Sequence, residues 1–176
     1  ISTDILGLSS RQIAALTTTQ VAALSSYQVT ALRTDQAVGL GTSDAAVLST
    51  LQAEALTSAQ LGVLSTAAIA KLSTAAIAAI STDILGLTSS QVAALTTTQV
   101  VALSSYQAAA LRTDQLVGLE TSDAAVLTTL SVAAISGNIV GLSTRQIAAL
   151  TTTQVAALSS YQVTGMRTDL VAGLTT

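Results

Sequence analysis

The chain has 176 residues, half of them hydrophobic but only 2% aromatic and 9% charged, with a net charge of −3 and no Pro, Cys, His, Phe or Trp. Phosphate-backbone binding needs clustered Lys and Arg to displace counterions. The six basic residues, Arg11, Arg33, Lys71, Arg112, Arg145 and Arg167, stand singly, which argues against a nucleic-acid partner and against a polybasic lipid attachment. Without Cys there is neither a disulfide framework nor a thiolate metal site. A membrane span needs about 18 consecutive apolar residues. The nearest stretch, Ala67–Ile80, is interrupted by Lys71, Ser73 and Thr74.

From Ser2 to Leu174 the sequence is 22 tandem copies of one phrase, Ser/Thr-Thr-x-Gln-Val/Ile-Ala-Ala-Leu. Nineteen copies have eight residues; Ser2–Leu8, Ser81–Leu87 and Ser136–Leu142 have seven. A repeat this short buries its apolar face only against its neighbours, so the architecture is a stack.

In chain order, the first short unit, Ser2–Leu8, is followed by Ser9-Ser-Arg-Gln12, Thr17-Thr-Thr-Gln20 and Ser25-Ser-Tyr-Gln28, each the start of a helix. In such a capping box the hydroxyl accepts from the N–H three residues on, and the Gln side chain reaches back to the cap N–H. The same signature opens units at Thr88–Gln91 and Thr151–Gln154. A Leu before the cap and a Val or Ile four residues after it supply a hydrophobic staple. Ala-Ala-Leu then provides strong helix formers.

The spacing predicts an all-α solenoid or superhelix of very short capped helices, one per eight-residue repeat. On a helical wheel, positions 1, 4, 5 and 8 share one side, and the small residues at 6 and 7 let units approach closely. One continuous helix is excluded, because eight residues at ~100° each leave roughly 80° of drift per repeat and the Val/Leu stripe would spiral out of any core. The alternative is a parallel β-solenoid, favoured by the Thr, Val and Ile content. Against it, positions 5 and 8 of a strand point to opposite faces, and the corners lack Gly or Asn.

A longer period overlies the short one. Ile1–Leu8 returns at Ile80–Leu87, 79 residues later, and in variant form at Ile135–Leu142, 55 residues further on. These markers divide a single continuous array, 1–176, into blocks 1–79, 80–134 and 135–176. Tyr27, Tyr106 and Tyr161 occupy equivalent places, as do Arg33, Arg112 and Arg167, and Asp35, Asp114 and Asp169. The first block is longer than the second by 24 residues, or three units. Register survives such an insertion most easily when three units make one superhelical turn. The seven-residue units, each with a Gly (Gly7, Gly86, Gly141), are expected to mark a local change of winding.

The chemistry-bearing residues are few. With neither His nor Cys, no tuned base or thiol nucleophile is available, so no catalytic residue is assigned and no enzyme is expected. Lys71, the single lysine, does not stand in a Ser-x-x-Lys phrase. The acids match neither an Asp-x-Asp/Asn-x-Asp/Asn-Gly run nor a Gly-Gly-x-Gly-x-Asp run, so no calcium site is assigned. No metal and no cofactor is expected. The long-period Tyr27, Tyr106 and Tyr161, with Arg33, Arg112 and Arg167, are the candidate contact surface, since Tyr and Arg are favoured in binding hot spots. Inheritance by block duplication accounts for the same pattern without a partner.

The phrase Leu-Thr-Thr-Thr-Gln-Val-Ala-Ala-Leu at Leu16–Leu24 and Leu150–Leu158 resembles octapeptide-repeat regions of large bacterial secreted or cell-surface proteins. The resemblance covers nearly the whole chain and implies an extracellular or cell-surface, structural or adhesive setting; it carries over no site residues. The expectation is a structural repeat protein, a segment of an extracellular fibre or cell-surface filament. Its main rival is a binding or adhesion module that presents the variable position-3 residues to a partner, such as a glycan or another surface molecule. Uncapped stacks of this kind are expected to self-associate head to tail.

Overall fold

A computed structural model describes residues 4–174. It is helical throughout, with no strand among the described residues, so the solenoid of short helices holds and the β alternative falls. Nineteen α-helices of four to six residues alternate with extended N-cap residues, and three 3₁₀ helices occupy the seven-residue units at Asp4–Gly7, Thr82–Gly86 and Ser136–Gly141. A 3₁₀ helix has 3.0 residues per turn against 3.6, so a unit one residue shorter is wound more tightly. This is the expected change of winding.

The chain divides into two compact units, Ile1–Leu87 and Thr88–Thr176. The division falls at the end of the second seven-residue repeat. Within each unit every element packs against the element three further on: Thr18–Ala22 against Thr42–Val47, Thr50–Glu54 against Thr74–Ala79, and Ser105–Ala110 against Thr129–Ala134. Hydrogen bonds between turns span 25 to 31 residues, so a turn takes between three and four repeats, more than the three that the insertion suggests.

Fourteen of the nineteen α-helices start at a Ser or Thr whose side chain caps the first turn. Thr17 sits at φ −75°, ψ 155°, and its hydroxyl accepts from the N–H of Gln20, while the Thr17 N–H donates to Gln20 Oε1 at 2.8 Å. The extended cap residue forces a kink every eight residues, which bends the chain into turns. Such caps are worth about 1 kcal/mol each, and helices of this length are unstable alone in water. Packing supplies the rest. Val21, Val29, Leu61, Ile69 and Ile77 at position 5 are fully buried, and most position-8 Leu residues join them. Each contributes roughly 1.5–3 kcal/mol on burial. One feature of the wheel needs correction: position 1 faces solvent in most repeats. Its backbone is extended rather than helical, so the helical angle does not apply to it. The buried set is positions 4, 5 and 8.

Candidate functional site

Position 4 is the unexpected member of that set. Gln36, Gln52, Gln60, Gln146, Gln154 and Gln162 are all buried, although Gln is ordinarily a surface residue. Each uses both ends of its amide. Gln60 Oε1 accepts from the Thr57 N–H at 2.8 Å, closing its own helix start. Its Nε2 donates to the carbonyls of Val29 at 2.8 Å and Leu32 at 2.6 Å, on the turn before. Gln52 does the same to Val21 and Leu24, both at 2.8 Å, and Gln36 to Ile5 and Leu8. A helix leaves its last four carbonyls without intrahelical partners, and here the next turn supplies two of the missing donors. In the second unit the reach shortens by one residue, Gln154 donating to Ala124 and Leu127, because the seven-residue repeat Ser136–Leu142 intervenes. Asp44 and Asp123 replace Gln in one repeat of each unit. They keep the acceptor for the N–H of Gly41 and Glu120, and lack the amide donor.

The backbone also closes up between turns. A Cβ on Gly39, Gly86, Gly118 or Gly141 would collide with the backbone carbonyl of Ser10, Ser58, Ser89 or Thr113 respectively, one turn earlier. The seven-residue units add side-chain clamps. Asp83 accepts from both the N–H and the hydroxyl of Ser58, at 2.9 and 2.7 Å, and Asn138 at the equivalent place donates to the Leu111 carbonyl at 3.0 Å.

The residues singled out in the sequence all lie on the outside. Tyr27, Tyr106 and Tyr161 are 63%, 82% and 68% exposed. They occupy position 3, which is exposed in every eight-residue repeat. Arg33, Arg112 and Arg167 stand where a cap is expected and make no side-chain cap. Instead each pairs with the Asp two residues on: Arg33 with Asp35 at 2.9 Å, Arg112 with Asp114 at 3.0 Å and Arg167 with Asp169 at 3.4 Å. The Arg33 and Arg112 guanidinium groups, by their hydrogen bonds, hold Asp35 and Asp114 below the ordinary carboxylate value. Arg33 also donates to the Leu6 carbonyl at 2.7 Å.

Tyr27 has neighbours from the next turn. It lines an open groove of about 380 Å³ with Leu51 and Glu54. Leu51 itself is highly exposed, as is Leu130, its counterpart 79 residues later. Sequence reasoning overlooked these two Leu residues, though both sit at position 3 and share the offset of the Tyr pair.

Among the described residues no group of three or more Asp or Glu is placed to hold a metal ion, and no helix is long and apolar enough to cross a membrane. The ALTTAQ repeat family model matches residues 2–34, 54–86 and 139–176, more than half of the chain. The chain belongs to the ALTTAQ repeat family. None of the curated proteins matches it. The Ala-Leu-Thr-Thr-x-Gln phrase of the family name straddles the junction of two helices. It contains the Leu that ends one helix, the Thr that caps the next, and the Gln that closes this cap and ties it to the turn before.

Proposed function

We propose that this ALTTAQ repeat array is a structural element without catalytic activity, a segment of an extracellular fibre or cell-surface filament of the kind found in large bacterial secreted proteins. The observation that carries this reading is the two-sided Gln. Where position 4 is a buried Gln, a turn presents amide donors to the turn before and carbonyl acceptors to the turn after, so such turns add in one direction without a change of chemistry. The same complementarity supports head-to-tail contact between arrays, a heterologous contact that builds open assemblies when it does not close. A neutral surface of Ser and Thr, low in charge, suits a spacer better than a recognition domain. The test is electron microscopy of the source cells with antibodies raised against the array. Labelled filaments outside the cell support the reading; label confined to the cytoplasm removes it.

A second reading, a binding or adhesion module, is favoured by the exposed position-3 side chains, above all Tyr27 beside Leu51 and Tyr106 in the equivalent helix. Replacing Tyr27, Tyr106 and Tyr161 with Ala distinguishes the two. Loss of surface attachment with intact assembly selects the binding module, and unchanged attachment selects the fibre.

A further inference from the structure

The second unit carries an open cleft of about 710 Å³. Its wall crosses three helices stacked in series: Thr121–Val126, preceded by Glu120; Thr144–Ala148, which carries Arg145; and Thr168–Gly173, preceded by Arg167. The hydroxyls of Thr121, Ser122 and Ser143 line it between the charges.

The charges in this cleft are less committed than elsewhere in the chain. The ion pairs among the described residues are Arg33–Asp35, Arg112–Asp114 and Arg167–Asp169, so neither Arg145 nor Glu120 is engaged in one. Arg167 is also the loosest of its equivalent set. Its side chain is 70% exposed, against 49% and 48% for Arg33 and Arg112, and its contact with Asp169 is the longest of the three. Two guanidinium groups, one unpaired and one weakly paired, therefore face a cleft on a protein whose net charge is negative. The planar guanidinium fork matches a carboxylate, with two parallel charge-assisted hydrogen bonds.

We propose that this cleft binds a carboxylate-bearing saccharide, its carboxylate held by Arg145 and Arg167 and its hydroxyls by Thr121, Ser122, Ser143 and Glu120. The hydroxyl wall selects sugar over peptide. Ser and Thr both donate to and accept from ligand hydroxyls, and Glu120 accepts from a sugar O–H.

The test is calorimetric titration of the full chain with tri-galacturonate, with its methyl ester and with acetylated hexaglutamate, in low salt and again in 0.5 M NaCl. Saturable binding of tri-galacturonate is expected, lost on esterification and weakened by salt, because the contact is partly exposed and screened. R145A and R167A each weaken it at least tenfold. R11A, at the repeat position of Arg145 but outside the cleft lining, leaves it unchanged. Both cleft arginines are exposed, and circular dichroism of the variants checks that the helices persist. Absence of saturable binding, equal affinity for the ester, unchanged affinity in R145A and R167A, or tighter capture of hexaglutamate overturns the proposal. The readout is a small ligand on the isolated chain, so it stands or falls independently of filament formation.

Discussion

The side-chain nitrogen of Gln60 lies 2.8 Å from the carbonyl oxygen of Val29, 31 residues earlier in the chain. The oxygen of the same amide accepts the N–H of Thr57. One side chain thus removes an orphan donor at the start of its own helix and an orphan acceptor at the end of a helix on the neighbouring turn. Very short helices expose a high proportion of unsatisfied backbone groups, and a burial-based stack of them requires a partner for each. The position-4 Gln meets that requirement at both ends in Gln36, Gln52, Gln60, Gln146, Gln154 and Gln162.

Gln60→Leu keeps the volume in the core and removes the hydrogen bonds at both ends of the amide, leaving buried backbone groups unsatisfied at about 1–3 kcal/mol apiece. It is expected to lower the stability of the first unit by about 3 kcal/mol or more. Gln12→Leu is the control. Gln12 is exposed and its side-chain hydrogen bonds are those of its own cap, so the loss is about 1 kcal/mol, the value of a cap. Hydrogen exchange of the Val29–Leu32 region, rather than a single melting curve, is the measurement to make, since long repeat arrays depart from two-state unfolding. Equal losses from the two substitutions would refute the double role.

Much of this architecture is legible in the sequence, and the reason is local. The Ser-x-x-Gln box at Ser9–Gln12 or Thr88–Gln91 specifies a helix start without reference to the rest of the chain, and the three-repeat insertion comes close to the superhelical period while falling short of it. What is not legible depends on the turn before. Nothing local to Gln52 says that its amide nitrogen reaches Val21, because the cap already accounts for the Gln. The same holds for Tyr27, whose groove partner Leu51 comes from another turn, and for Arg145, which lines one cleft with Glu120 and Arg167 from other turns. Position 1 was misplaced on the wheel for a different reason: Ser and Thr there are caps, and a cap residue is extended.

Glycine marks the closest approaches. Gly86→Ala places a Cβ against the backbone of Ser58, where no flexible side chain yields. The turns must separate, at an expected cost of about 2–4 kcal/mol. Gly165→Ala meets nothing within 4 Å and lies in the helix Ser160–Gly165, so it is expected to stabilise by about 0.5–1 kcal/mol. Thermal unfolding followed by circular dichroism separates the two. A neutral Gly86→Ala would mean that the turns pack less closely than they are placed.

Ser136 is the one non-glycine residue with positive φ among those described, at 53°. A left-handed conformation costs an L-residue roughly 1–2 kcal/mol, and glycine adopts it freely at an entropic cost of about 0.5–1 kcal/mol. Ser136→Gly is therefore expected to raise the melting temperature slightly, and Ser136→Val to lower it markedly. The two shifts having the same sign would count against strain at this corner.

Asp123 gives the array a pH dependence of definite sign. It sits at the Gln position, buried at 2% exposure. Burial pushes its carboxyl above the ordinary value of 3.8; the hydrogen bond from the Glu120 N–H opposes this, and the Glu120 charge adds to it. A carboxyl whose folded value is raised binds more protons in the folded chain than in the unfolded one. Stability from this group is then complete below the unfolded value and declines as pH rises through the folded value. Asp35 and Asp114, lowered by their arginines, act in the opposite sense, but they are exposed and such pairs contribute little. Asp123→Asn removes the titration, keeps an acceptor for the Glu120 N–H and supplies an amide hydrogen donor. The variant is expected to be more stable than the parent at pH 7, with the advantage shrinking toward pH 3. Urea unfolding of the two chains at pH 3, 5 and 7 tests this, and an advantage that grows on acidification would show that the buried carboxylate is stabilised by contacts other than those at its cap.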